Sequence, residues 1–174
     1  MELTRLIKGL SDPAAYPDQV REVEVRHTHI SVVFLAGVHA YKIKKPVELG
    51  FLDFHTLEKR RHFCEEEVRL NRRLAPAVYQ GVVPVTRDGA RLRIGGAGEV
   101  MEWAVKMERL PDEATLQKHL LRGEVDPERI EFLARTIAAF HAGAESSPHI
   151  SAFGRLDVVA RNARENFEQS ARQV

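Results

Sequence analysis

The sequence predicts an α+β fold in which strands gather around one long helix and helices alone follow. Three observations carry this expectation. β-branched and aromatic residues collect in short runs between Val20 and Met107, bounded by turn residues. A long helical segment runs from about Thr56 to Leu74 and is closed by Pro76. Beyond Pro111 the apolar residues recur at helical spacing only. At 174 residues the chain can bury one full core or form the front part of a larger one.

Taken in order, Leu3, Leu6, Ile7 and Leu10 have helical spacing, and Ser11-Asp12-Pro13 ends that helix because the residue before proline is pushed out of the α region. Val20, Val23 and Val25 alternate with charged residues, and Ile30 to Leu35 is a β-rich run. Gly37 separates that run from Val38 to Lys44, which predicts three successive strands with a tight hairpin at Ala36-Gly37. Pro46 stops the third strand, and Gly50 to Phe54 connects it to the long helix. Two further strands fit Val82–Val85 and Arg91–Ile94 with Asp88-Gly89 as their turn, and Met101 to Met107 forms another after the glycine-rich turn at Gly95–Gly98. Leu116, Leu120 and Leu121 then read as helix. So do Pro127 to Ala142, through Ile130, Leu133, Ala134, Ile137, Ala138 and Phe140. The last segment, Leu156 to Gln173, is an amphipathic helix with sparse apolar positions at Leu156, Val159, Ala163 and Phe167. The expected organisation is residues 1–107 as sheet, long helix and N-terminal helix, 108–111 as an extended joint, and 112–174 as a helical region.

Lys+Arg number 26 against 25 Asp+Glu, a formal net charge of +1, so no global field gathers nucleic acid or an anionic membrane. The basic pairs at Lys44-Lys45 and Arg60-Arg61 are offset by neighbouring acids and lack aromatic stacking partners, so no nucleic-acid partner is expected. The single cysteine, Cys64, cannot form an internal disulfide and reads as a small buried hydrophobe. With neither a signal-peptide core nor a membrane-length apolar stretch, the expected location is the cytoplasm and no membrane partner is expected. His27, His29, His62 and Cys64 do not have the spacing of metal ligands.

Chemistry points to one strand and one helix. Alternation puts Val38, Ala40, Lys42 and Lys44 on one face of the third strand and His39, Tyr41 and Ile43 on the other. In a helix, Phe63, Cys64, Leu70 and Leu74 lie at i−4, i−3, i+3 and i+7 from Glu67, which puts this carboxylate in an apolar stripe. A buried carboxylate is expensive unless paired, so Glu67 needs a cation, and Lys42 is the nearest plausible one in a strand–helix unit. Glu66 at the edge of the stripe is the alternative carboxylate, and Lys44 is the rival lysine. A small residue such as Ala40 can lie over a purine, and an ammonium two positions on can reach phosphates. The loop Arg26 to Ser31 has no glycine and so no glycine-rich cradle, but the Thr28 and Ser31 hydroxyls could still contact phosphate.

The blocks Ala40-Tyr41-Lys42-Ile43-Lys44-Lys45-Pro46-Val47, Gly50-Phe51-Leu52-Asp53-Phe54, Arg60-Arg61-His62-Phe63-Cys64-Glu65-Glu66-Glu67 and Leu70-Asn71-Arg72-Arg73-Leu74-Ala75-Pro76 resemble the aminoglycoside phosphotransferase-like bacterial proteins. The resemblance is strongest to the group in which this kinase-like domain precedes a P-loop ATPase domain. It covers the chain from about Tyr16 to the last helix. Met107-Glu108-Arg109-Leu110-Pro111 resembles the family's hinge, and Ala138-Ala139-Phe140-His141-Ala142 its first large-lobe helix. The resemblance implies a protein-kinase-like N-lobe of about five antiparallel strands with one long helix, followed by the helical start of a C-lobe. It further implies ATP with Mg2+ as cofactor, Lys42 on the α- and β-phosphates, Glu67 holding Lys42, and Met107, Glu108, Arg109 and Leu110 at the adenine. The implied activity is transfer of the ATP γ-phosphoryl group to a hydroxyl of a small molecule.

One departure weighs against activity in this chain. The family's H-G-D-x-x-x-x-N loop and its later magnesium-binding acid have no counterpart here: no aspartate follows His141-Ala142-Gly143-Ala144 in place, and Gly154-Arg155-Leu156-Asp157 lacks the histidine and the asparagine. Positioning of ATP without base and metal ligands gives no phosphoryl transfer. The chain is therefore expected to be a fragment of such a protein or a truncated product. The competing expectation is a non-catalytic interaction module that self-associates or binds a partner through its incomplete helical lobe.

Overall fold

The computed structural model describes residues 2–171, which form two compact units divided between Thr115 and Leu116. The first unit begins with α1, Leu3–Leu10. Its end is fixed by Ser11, whose hydroxyl donates to the Ile7 carbonyl, and by the Asp12 carboxylate, which accepts from the Ala14 N–H in a 3-10 turn at Pro13–Ala15. The strands are β1 (Val23–His27), β2 (Ser31–Ala36), β3 (His39–Lys44), the short β4 (Glu48–Leu49) and β5 (Leu52–Asp53), then β6 (Tyr79–Asp88), β7 (Arg91–Ile94) and β8 (Glu99–Glu108). Helix α2, Leu57–Asn71, lies between β5 and β6. The large sheet has the order β1-β2-β3-β8-β6-β7 and every pairing is antiparallel, while β4 and β5 form a separate ribbon.

The fold is thus α+β, with six strands in the sheet where about five were expected. All six β-rich runs find a partner, and the connector adds a ribbon that its two short strands did not announce. The hairpin glycines Gly37 (φ 61°) and Gly89 (φ 58°) occupy the left-handed region, which an L side chain rarely adopts.

Both faces of the sheet are covered. On one side α1 and the segment after it bury Leu6, Leu10 and Tyr16 against Phe34, Tyr41 and Ile43. The Tyr16 hydroxyl donates to the Leu10 carbonyl at 2.6 Å, and burial pushes its pKa upward. On the other side α2 sets Cys64 and Val68 on Val105, with Val82 and Trp103 packed around them. This two-sided burial explains why β2 and β3 are apolar on both faces apart from their chemistry-bearing positions.

The second unit is helical: α3 (Leu116–Leu121), α4 (Pro127–Ala142), α5 (Pro148–Phe153) and α6 (Leu156–Ala171). Asp126 and Ser147 cap α4 and α5 by accepting from the Arg129 and Ile150 N–H groups, each followed by proline at the first helical position. The expected end of the last helix at Gln173 lies outside the described residues. Among the described residues no helix is long and apolar enough to cross a membrane.

Candidate functional site

Cross-strand register fixes which side chains share the α2 face. Val33 pairs with Lys42 and Lys42 with Val105, while Ser31 pairs with Lys44 and Ala40 with Met107. Directly opposed residues project to the same side of a sheet, so Ser31, Ala40, Lys42, Lys44, Val105 and Met107 lie on one face. Helix α2 is held against it by three devices. The Thr56 hydroxyl caps the first turn by accepting from the Lys59 N–H at 3.3 Å. Cys64 and Val68 bury against β8. Arg60 donates from Nε to Glu102 at 2.8 Å and from Nη1 to the Phe54 and His55 carbonyls.

This places Glu67 over β3. Lys42 Nζ lies 2.9 Å from its Oε1 and Lys44 Nζ 2.8 Å from its Oε2, so one carboxylate is bridged by two ammonium groups. The side chains are 28% (Lys42), 7% (Lys44) and 12% (Glu67) exposed. Burial by itself would raise the Glu67 pKa, but the hydrogen bonds from Lys44 and Lys42 outweigh it and hold the carboxyl below its ordinary range. Lys44 is also seated over the Phe54 ring, 4.9 Å from its centroid, and Phe54 in turn packs on Phe63. Two cations against one anion leave a formal excess of one positive charge in a largely dry site. The Ser31 hydroxyl, fully buried on the same face, has no hydrogen-bond partner among the described residues.

The apolar stripe on α2 differs from the expected one. Leu70 and Leu74 are exposed, and the buried residues are Arg60, Cys64 and Val68. At 3.6 residues per turn Glu67 sits about 60° from Cys64, on the flank of the buried stripe that faces β3 rather than in its middle. Glu66 points away and pairs with Arg69. The Arg60–Glu102 pair was not visible in the sequence: an arginine among charged neighbours reads as surface, and only its position one turn before Cys64 hints at burial. Burial pushes the Glu102 pKa up, against the pull of the Trp103 N–H and Arg60.

The other expected positions fall into two groups. Ala40 is buried on the lysine face, between Leu35 and Met107 in the cross-strand row. Thr28 is occupied with its own turn, its hydroxyl accepting from the Ser31 N–H at 2.9 Å. At the end of β8 the Glu108 N–H donates to the Val78 carbonyl and the Arg109 N–H to the Val38 carbonyl, each at 2.9 Å. Arg109 also pairs with Glu24, and Arg26 pairs with Asp112, which ties the stretch after β8 to β1. A pocket of about 490 Å³ opens there, lined by Gly37, Val38, His39, Gln80, Glu108, Arg109 and Pro111. A larger groove, about 770 Å³, is elsewhere, between α1 and the β6–β7 turn. Its cations Arg5, Lys8, Arg87 and Arg91 are partly offset by Asp12 and Glu99.

Three curated proteins are similar to the chain. They are the uncharacterized protein Mb2027c of Mycobacterium bovis and the uncharacterized proteins MT2060 and Rv2004c of Mycobacterium tuberculosis. Each is 35% identical over 147 residues, which is 84% of this chain and 28% of the relative. The chain thus spans little more than a quarter of the length of the curated relatives it matches. No protein-family model matches the sequence. No solved structure matches it.

Proposed function

We propose that the first unit is a nucleotide-binding, kinase-like N-lobe that holds ATP through its phosphates, as the resemblance to aminoglycoside phosphotransferase-like proteins implies. The observation that supports this most is the Lys42–Glu67–Lys44 bridge: a net-positive, partly buried cluster on a strand–helix face whose cross-strand row also carries the unpartnered Ser31 hydroxyl. In this reading Lys42, the more exposed lysine, meets the α- and β-phosphates, and Glu67 orients it. Ala40, flanked by Leu35 and Met107, packs on the purine. At the joint after β8, the Glu108 and Arg109 N–H groups are already engaged, so the Glu108 carbonyl and the Leu110 N–H are the polar groups offered to the adenine edge.

Magnesium fits differently. Among the described residues no group of three or more His, Cys, Asp or Glu side chains is placed to hold a metal ion, so magnesium is proposed to arrive on the nucleotide phosphates rather than in a ready-made protein site. Nor does the sequence contain the H-G-D-x-x-x-x-N loop that would supply a base. Transfer of a phosphoryl group to a small-molecule hydroxyl is accordingly proposed for a longer protein carrying those residues, and nucleotide binding without turnover for this chain. Isothermal titration with Mg·ATP tests the reading: saturable binding by the parent protein that is lost in Lys42→Met supports it, and no binding by the parent protein refutes it.

A second reading has its own observation. None of α3 to α6 buries a side chain, and Phe132, Phe153 and Phe167 are exposed. Helices of this kind need a covering surface, which favours an interaction module that self-associates or takes a protein partner. Sedimentation velocity at several concentrations distinguishes the two: a concentration-dependent sedimentation coefficient supports association, and a constant monomeric value removes it.

A further inference from the structure

One phosphate-facing lysine needs one carboxylate, yet Glu67 is bridged by two. The two lysines are not equivalent. Lys42 is about a quarter exposed, whereas Lys44 is buried at 7%, with the Phe54 ring under its ammonium and Glu67 Oε2 2.8 Å away. An anion arriving from solvent therefore reaches Lys42 first. If Lys42 turned from Glu67 to phosphate in a simple lysine–glutamate pair, it would leave a carboxylate that is 12% exposed without a counter-ion. Such a charge is costly and would push the helix away from the sheet. Here Lys44 stays behind.

We propose that Lys44 is the positioning residue that pins Glu67, and with it α2, to β3 whether or not a nucleotide is present. Lys42 can then exchange its carboxylate contact for phosphate oxygens without releasing the helix. This rests on the nucleotide reading above and deepens it: the site is preformed, and α2 is a fixed wall of it. In protein kinases, by contrast, a single Lys–Glu pair is made or broken by helix position.

Cys64 reports on this directly. It lies one turn before Glu67, is fully buried, and has its Sγ 3.8 Å from the Trp103 carbonyl of β8. It is the single cysteine of the chain. Lifting α2 exposes it, so its alkylation rate under native conditions measures helix docking. The parent protein, Lys42→Met, Lys44→Met and Lys44→Arg are treated with iodoacetamide without nucleotide and titrated in parallel with Mg·ATP. Lys42→Met keeps the slow labelling of the parent while losing Mg·ATP affinity by about tenfold or more. Lys44→Met labels about tenfold faster or more, and Lys44→Arg, which keeps the charge, restores slow labelling. Parent-like labelling of Lys44→Met, or labelling of Lys42→Met as fast as that of Lys44→Met, overturns the proposal. Should Lys44→Met fail to fold by circular dichroism, Lys42→Met and Lys44→Arg decide: slow labelling of both supports it and fast labelling of either overturns it. Absence of Mg·ATP binding by the parent protein would remove the nucleotide reading, yet the labelling comparison would still judge the role of Lys44.

Discussion

At Glu67, burial and two hydrogen-bonded lysines pull the titration in opposite directions, and the lysines win. The consequence for stability has a definite sign. A carboxylate whose folded pKa is depressed contributes stability that is fully present above its ordinary value near 4.5 and lost as pH falls through the lower folded pKa. Glu67→Gln removes that contribution and leaves the buried Lys44 ammonium and the partly exposed Lys42 ammonium without an anion, so it should cost about 3 kcal/mol at neutral pH. Urea unfolding of the parent and variant from neutral pH to below pH 4 should show the two curves converging at the acid end. A gap that stays constant with pH would show that Glu67 is not ionised against the lysines. A lysine–glutamate pair at Glu67 was legible in the sequence because strand alternation puts Lys42 and Lys44 on one face and helical projection puts Glu67 on the apolar side of α2. What was not legible is the division between Lys42 and Lys44, since alternation gives both the same face and only the depth under Phe54 separates them.

Among elements, α2 was readable as a helix but its seat on the sheet was not. Leu70 and Leu74 look like core residues by helical spacing, yet the helix docks through Arg60, Cys64 and Val68. The reason is a polar strut: Arg60, with its side chain 11% exposed, reaches Glu102 at 4% and two backbone carbonyls, which rotates the buried stripe toward β8. Removing one partner of such a buried pair is expensive because the other charge stays behind. Arg60→Ala should therefore destabilise the protein by about 3 kcal/mol in denaturant unfolding. A loss within the range of an ordinary surface substitution, about 0.5 kcal/mol, would mean that the strut does not hold the helix. Strand boundaries were recovered to within a residue around the Gly37 turn, whereas β6 runs from Tyr79 to Asp88 where only Val82–Val85 was expected. The β4–β5 ribbon and α5 escaped, being too short to show a period; for α5 the Ser147-Pro148 cap was the available signal.

For the molecule as a whole, the α+β order was plain from the change of period after Pro111. The expected joint at 108–111 is bound to the sheet: Arg109 and Asp112 pair with β1 residues, and the first unit runs to Thr115. Because α1 and α2 cover the two faces of its sheet, residues 1–115 should fold without the helices that follow. A 1–115 protein should show cooperative urea unfolding and keep Cys64 slow to alkylate, the thiol being buried and its pKa pushed up to about 12. A non-cooperative transition with immediate labelling would contradict this. The ligand of the net-positive bridge on β3 sets what the whole chain does. Isothermal titration of the full 174-residue chain with Mg·ATP, beside Lys42→Met, tests it most directly. Saturable binding without ADP release is expected, weakened about tenfold or more in Lys42→Met. No heat of binding from the parent protein, or equal affinity in the two proteins, would contradict it.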